Sequence, residues 1–264
     1  MARVMGRPAP EPFCMILSRP ATALAALLAL SLPAAATDIG SLTDSEREAF
    51  RAEVREYLLE NPEVLMEAIG VLEQRQAQAE AANDAALLQT HAAEIFSDPD
   101  SWVGGNPEGD ITVVEFTDYR CGYCRKAYEE VAELIESDGN IRFVVKEYPI
   151  LGEQSLISSR FAVAVRQVAG DAAYQKAHDA LITLRGDATP ETLGRLAQDM
   201  GLDRDAILTR MDSPEVTAVI EANHKLGEAL RINGTPTFVI DGTMLRGYVP
   251  LEGMRQIVAE QRAG

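Results

Sequence analysis

Cysteine is almost missing from this sequence: there are three in 264 residues, and Cys14 stands far from Cys121 and Cys124. Histidine is as scarce, at His91, His178 and His224, so the residues offer no four-ligand zinc cluster and no metal site is assigned. No apolar run reaches the roughly 20 residues that a membrane-spanning helix needs. Positive charge is also short. Lysine and arginine number 24 against 41 acidic residues, a net charge of −17, which argues against gripping nucleic acid or anionic lipid through a basic face. Solubility is the plain reading of that charge.

What is present begins with an export pattern. Arg3, Arg7 and Arg19 precede the apolar run Ala21–Leu32 (ATALAALLALSL), followed by Pro33 and the small residues Ala34, Ala35 and Ala36. This reads as a signal peptide over 1–36, cleaved near Ala36, with Met1 or Met15 as the start. Its removal would discard Cys14 and leave one vicinal pair in an exported, periplasmic chain. Exported proteins commonly use cysteines as long-range staples. A bond closing so small a ring would contribute only about 2 kcal/mol. Three uses stay open for the pair: staple, metal ligand (copper or zinc) and disulfide exchange. The surroundings favour exchange.

Those surroundings are VVEFTDYRCGYCRKAYEEV, from Val113 to Val131. Ile111–Phe116 reads as a buried central strand. From Cys121 the pattern turns helical through Ala127, Val131, Leu134 and Ile135, stopping at Asp138-Gly139, and Ile141–Val145 is strand again. The cysteines thus stand at the start of the helix in a β-α-β unit. There Cys121 meets unpaired backbone N–H groups and the positive end of the helix dipole, worth at most about 2 kcal/mol. Arg120, Arg125 and Lys126 add a basic island. Cys124, one turn in, can resolve a mixed disulfide.

Elsewhere, residues 41–90 are helical in pattern. Ser41 or Thr43 can cap, Asn61-Pro62 breaks one helix and begins another, and Val64, Leu65, Ile69 and Leu72 form an apolar stripe. From Gln74 to Ala86 the sequence still favours helix but has little to bury. Residues 97–109 (SDPDSWVGGNPEG) read as a loop. Gln154–Leu230 reads as several helices, Thr237–Ile240 as strand, Asp241-Gly242 as a tight turn into Met244–Arg246, and Leu251–Gln261 as a closing helix.

Glu115-Phe-Thr-Asp-Tyr-Arg-Cys121-Gly-Tyr-Cys124 resembles the active-site strand and helix start of DsbA-like thiol–disulfide oxidoreductases. Gly234-Thr235-Pro236-Thr237-Phe238 resembles their cis-proline segment, and the helical stretch 154–230 resembles the insertion of the DsbA branch. The resemblance implies an α/β thioredoxin fold over 97–264 and a lowered pKa at Cys121. It also implies that Glu115 is a buried proton carrier and that Thr235 and Pro236 present backbone to substrate. Gly122 and Tyr123, between the cysteines, are expected to help set redox poise and to join Thr235 and Pro236 as substrate-binding residues. Glu53–Glu73 (EVREYLLENPEVLMEAIGVLE) resembles the N-terminal region of suppressor-of-copper-sensitivity C-type (ScsC-like) proteins. That implies an N-terminal helical oligomerisation segment over 37–90, with a trimer favoured, and disulfide isomerase activity. Expected partners are exported proteins with cysteines and a DsbD-like or DsbB-like membrane redox protein; no cofactor is expected. A monomeric DsbA-like dithiol oxidase and a copper- or metal-binding periplasmic protein are the alternatives.

Overall fold

The computed structural model describes residues 42–263, and the leader expected at 1–36 lies outside them. Among the described residues, no helix is long and apolar enough to cross a membrane. The chain divides into two units between Met66 and Glu67.

The first unit holds α1 (Asp44–Glu60) and the start of α2 (Glu63–Thr90). Thr43 begins α1 with a capping box: its hydroxyl accepts from the Glu46 N–H while its own N–H donates to the Glu46 carboxylate at 2.9 Å. Asn61 ends the helix, and its N–H and side-chain amide both donate to the Tyr57 carbonyl. α1 buries nothing. Phe50, Val54, Tyr57, Leu59, Leu65 and Met66 are all exposed, Met66 at 68%.

The second unit is built on a five-stranded sheet: β1 (Trp102–Gly105), β2 (Ile111–Thr117), β3 (Ile141–Glu147), β4 (Thr237–Ile240) and β5 (Thr243–Arg246), ordered β1-β3-β2-β4-β5. Only β2 and β3 run parallel, as the crossover through α4 (Gly122–Asp138) requires. Gly139, at φ 71°, supplies the left-handed turn that ends α4. Five helices fill the long insertion: α5 (Glu153–Ala169), α6 (Asp171–Ile182), α7 (Pro190–Asp199), α8 (Arg204–Met211) and α9 (Pro214–Ala229). α10 (Leu251–Ala263) closes the chain against α4.

Alternation along β2 and β3 sends side chains to two cores. Val113, Phe143 and Val145 join Val131 and Leu134 of α4, Phe161 of α5 and Met254 of α10. On the opposite face Val114, Phe116 and Val144 meet Leu226 of α9, Leu88 at the end of α2, and Ile95 of the short α3 (Ala92–Phe96).

Two sequence expectations change. The stretch 97–109 is not all loop, since Trp102–Gly105 pairs antiparallel with Val145–Arg142. Trp102 and Val103 favour a strand but Gly104 and Gly105 do not, so the run is too short to read as one and the edge of β3 supplies the order. The packed body also begins before residue 97. Leu88 and Ile95 are core residues, and Asp84 takes both guanidinium nitrogens of Arg246, so the polar stretch to Ala86 is anchored at its end.

Candidate active site around Cys121 and Cys124

Asp118 shapes the approach to the pair. Its buried carboxylate accepts from the N–H of Arg120 at 2.8 Å, Ile150 at 2.9 Å and Leu151 at 3.1 Å, and its carbonyl accepts from the Cys121 N–H. One short acid thus ties the loop after β2 to the loop after β3. Cys121 then takes the N-cap position of α4 with extended backbone and no side-chain capping bond. Its sulfur faces the first turn of the helix, and Cys124 lies one turn inward, 1% exposed. Both thiols are unbonded to each other.

The Thr235–Pro236 bond is cis, and the segment lies against the pair: Cys121 Sγ donates to the Thr235 carbonyl at 3.0 Å. The Thr235 hydroxyl has no partner beside the neutral thiol, but a thiolate would give it an acceptor.

The two sulfurs differ sharply in acidity. A hydrogen bond from the Cys124 thiol is the main force pulling Cys121 down, to about 5. The Thr235 side chain and the backbone N–H groups of Cys124 and Tyr123 add to it, against the cost of burial. Giving that hydrogen bond holds the Cys124 proton in place, so its pKa rises, and burial and the Glu115 charge push it the same way. Direct hydrogen bonds, rather than the basic island, are the chief cause. Arg120 Nη1 donates to the Gly186 carbonyl at 2.7 Å, Arg125 Nε to the Tyr119 carbonyl at 2.8 Å, and Lys126 sits 4.0 Å over the Tyr248 ring.

Glu115, on β2 beneath the pair, is 5% exposed, and burial pushes its carboxyl up to about 7. The Thr117 hydroxyl opposes that rise, while the charges of Cys121 and Glu147 add to it. Gly122 and Tyr123 face outward. Tyr123 is 62% exposed and stacks on Tyr248, with ring centroids 6.2 Å apart. The expected site residues Glu115, Cys121, Gly122, Tyr123, Cys124, Thr235 and Pro236 are therefore brought to one end of β2, α4 and β4.

Sequence reading missed two further buried carboxyls, Asp118 and Glu147. Glu147 Oε1 accepts from the hydroxyls of Tyr119 and Tyr174, each at 2.6 Å, and burial raises its pKa to about 7. Tyr119 gives its single proton to Glu147, so His178 Nδ1, 3.0 Å from the same hydroxyl, must be the protonated nitrogen of a neutral ring. A Glu at the end of an apolar strand is the one linear clue. Its partners lie 28 and 27 residues away on other elements.

The sequence matches the family described as DSBA-like thioredoxin domain over residues 112–259, and that of the copper resistance protein ScsC N-terminal domain over 46–79. A thioredoxin-like oxidoreductase from Silicibacter pomeroyi is 41% identical with a TM-score of 0.61, the match covering 65% of this chain and 98% of that one. ScsC of Proteus mirabilis in a transitional conformation is 26% identical with a TM-score of 0.61, covering 85% and 98%. A curated relative, Na(+)/H(+) antiporter NhaA 1 of Salinispora arenicola, is 30% identical over 169 residues; the match takes in 63% of this chain and 26% of that protein's length. A thioredoxin-type sheet with its helical insertion, a Cys-Gly-Tyr-Cys pair facing a cis-proline and a family match spanning most of that body place this chain in the DSBA-like thioredoxin-domain family.

Proposed function

We propose that this protein is a periplasmic thiol–disulfide exchange enzyme in which Cys121 attacks, Cys124 resolves and Glu115 carries the proton of Cys124. The observation that carries the reading is the unequal pair at the start of α4: an outer sulfur held at low pKa beside the Thr235 carbonyl, and an inner one kept protonated. A substrate cysteine bonded to Cys121 leaves Cys124 one turn away, in line to displace it. The carbonyl and N–H groups around Thr235 and Pro236 offer an extended substrate chain backbone to pair with. Stabilising the Cys121 thiolate stabilises the reduced enzyme, so its disulfide is an oxidant. The apolar leader run at 21–32 supports export to the periplasm.

The uncovered apolar face of the first unit supports self-association, with a trimer as the expected state. Phe50, Val54, Leu58, Leu59 and Leu65 line one groove on it. Several pairs around one hub raise the effective thiol concentration at a single bound substrate, which favours reshuffling of wrong disulfides. Cys124→Ser should trap substrates on Cys121 as mixed disulfides, whereas Cys121→Ser should trap none. Substrates trapped equally through Cys124 would reverse the assignment. Light scattering that shows a monomer at micromolar concentration would leave a plain dithiol oxidase.

A further inference from the structure

A cleft of about 310 Å³ opens between α4 and α6; Cys124 lines it, and neither Cys121 nor Thr235 does. Its floor is Glu115, Thr117, Cys124 and His178, all buried, and its mouth is formed by the exposed Ala132, Glu136 and Gln175. Tyr128 of α4 and Asp179 of α6 also line it, the tyrosine hydroxyl donating to the carboxylate at 2.8 Å. The volume is far above the roughly 10–15 Å³ that one water needs. The Thr117 hydroxyl, fully buried on the floor beside Glu115, makes no hydrogen bond of ordinary geometry to the protein and can bond to such a water.

The chemistry of the pair requires a route of this kind. Cys124 must lose a proton to resolve a mixed disulfide, at the moment when substrate covers Cys121 and the Thr235 segment. We propose that the α4–α6 cleft is a water-filled proton port, through which Glu115 and Cys124 exchange protons with solvent behind a docked substrate. The inference rests on the assignment of Cys121 as attacker and Cys124 as resolver.

In the resolving direction the Cys124 thiol gives its proton to the Glu115 carboxylate. Its thiolate attacks Cys121, the Cys121–Cys124 bond forms, the Cys121–substrate bond breaks, and the electron pair leaves on the substrate sulfur as thiolate. Glu115 then passes its proton to water in the port. When substrate thiolate instead attacks the enzyme disulfide at Cys121, Cys124 leaves as thiolate and is protonated by the reverse path. Groups facing Glu115 are Cys121 and Cys124 from α4, Glu147 from β3 and the neutral His178 from α6. Asp179 and Glu136 lie further out and give the port an acidic mouth.

Ala132→Phe places a ring in the mouth without touching either cysteine, and Gln175→Trp does so from the opposite wall. Each full-length variant, loaded with a peptide thiol on Cys121, is followed by acid quench as Cys124 releases the peptide. Release should slow by about tenfold or more, part of the effect that a positioned proton carrier supplies. Alkylation of reduced Cys121 should keep its wild-type rate and pH midpoint. Added to Glu115→Gln, neither plug should slow release further. Wild-type release in both plugged variants overturns the port, as does equal slowing of release and alkylation in both. Labelling of Cys124 before Cys121 in the wild type would instead defeat the assignment of the two sulfurs.

Discussion

Alkylation of the reduced protein by iodoacetamide should level off near pH 6, where an ordinary cysteine is still climbing. With its pKa held at about 5, Cys121 is about 90% thiolate at pH 6, against about 0.3% for a free cysteine at 8.5. That is an advantage of about 300-fold in the reacting species. The less basic sulfur is also a weaker nucleophile, by about 40-fold for a Brønsted slope near 0.45. Cys121 should therefore react about 8-fold faster than free cysteine at pH 6 and about 30-fold slower at pH 9, the two curves crossing near pH ~7. Cys124, pushed up by its hydrogen bond to Cys121, should stay silent throughout. Cys124→Ala removes the largest cause of the low pKa and should raise the midpoint more than Thr235→Ala does. Mass spectrometry of the labelled peptides separates the two sites. A midpoint above 8, or a larger rise from Thr235→Ala, would refute the hydrogen-bond account of the site.

Glu115→Gln should stabilise the protein in a pH-dependent way. The fold favours the protonated acid, so its penalty grows as pH rises from 4.5 towards 7 and is complete above that, at most about 3 kcal/mol. Urea unfolding should show the gain at pH 8 and none near pH 4; a gain of equal size at both would point to packing instead. Lys146 is 1% exposed and donates to Asp98 at 2.6 Å and to the Glu94 carbonyl. Asp98→Ala should therefore lose about 3 kcal/mol by stranding a buried amine, and adding Lys146→Met should restore most of it. A loss under about 0.5 kcal/mol in the single variant would count against the pair. Removing residues 37–79 should give a monomer that still exchanges dithiols but reshuffles scrambled disulfides poorly, read by light scattering and refolding assays. The cut stops short of Asp84 and Leu88 because both belong to the second unit's packing.

Local chemistry made much of this protein legible in one dimension. Ile111–Thr117 and Thr237–Ile240 are strands because short apolar, β-branched runs suit a buried sheet. α4 starts at the pair and stops at Gly139 because an apolar period and a left-handed glycine bound it. Cys121 and Cys124 stood out by their place at the helix start, whereas Glu115, Thr235 and Pro236 stood out through the resemblance to DsbA-like proteins. Tertiary structure alone decided the rest. β1 extends through Gly104 and Gly105 because the edge of β3 pairs with it, although only Trp102 and Val103 favour a strand. The acidity difference between the two sulfurs comes from which thiol donates to which, and from the side chain of Thr235 on a distant segment. Glu147 finds its two tyrosines, and the cleft its walls, only when α6 packs beside α4. Sequence periodicity encodes which face of an element is apolar. Hydrogen-bond direction, burial of a charge and the shape of a void depend on the element that covers that face.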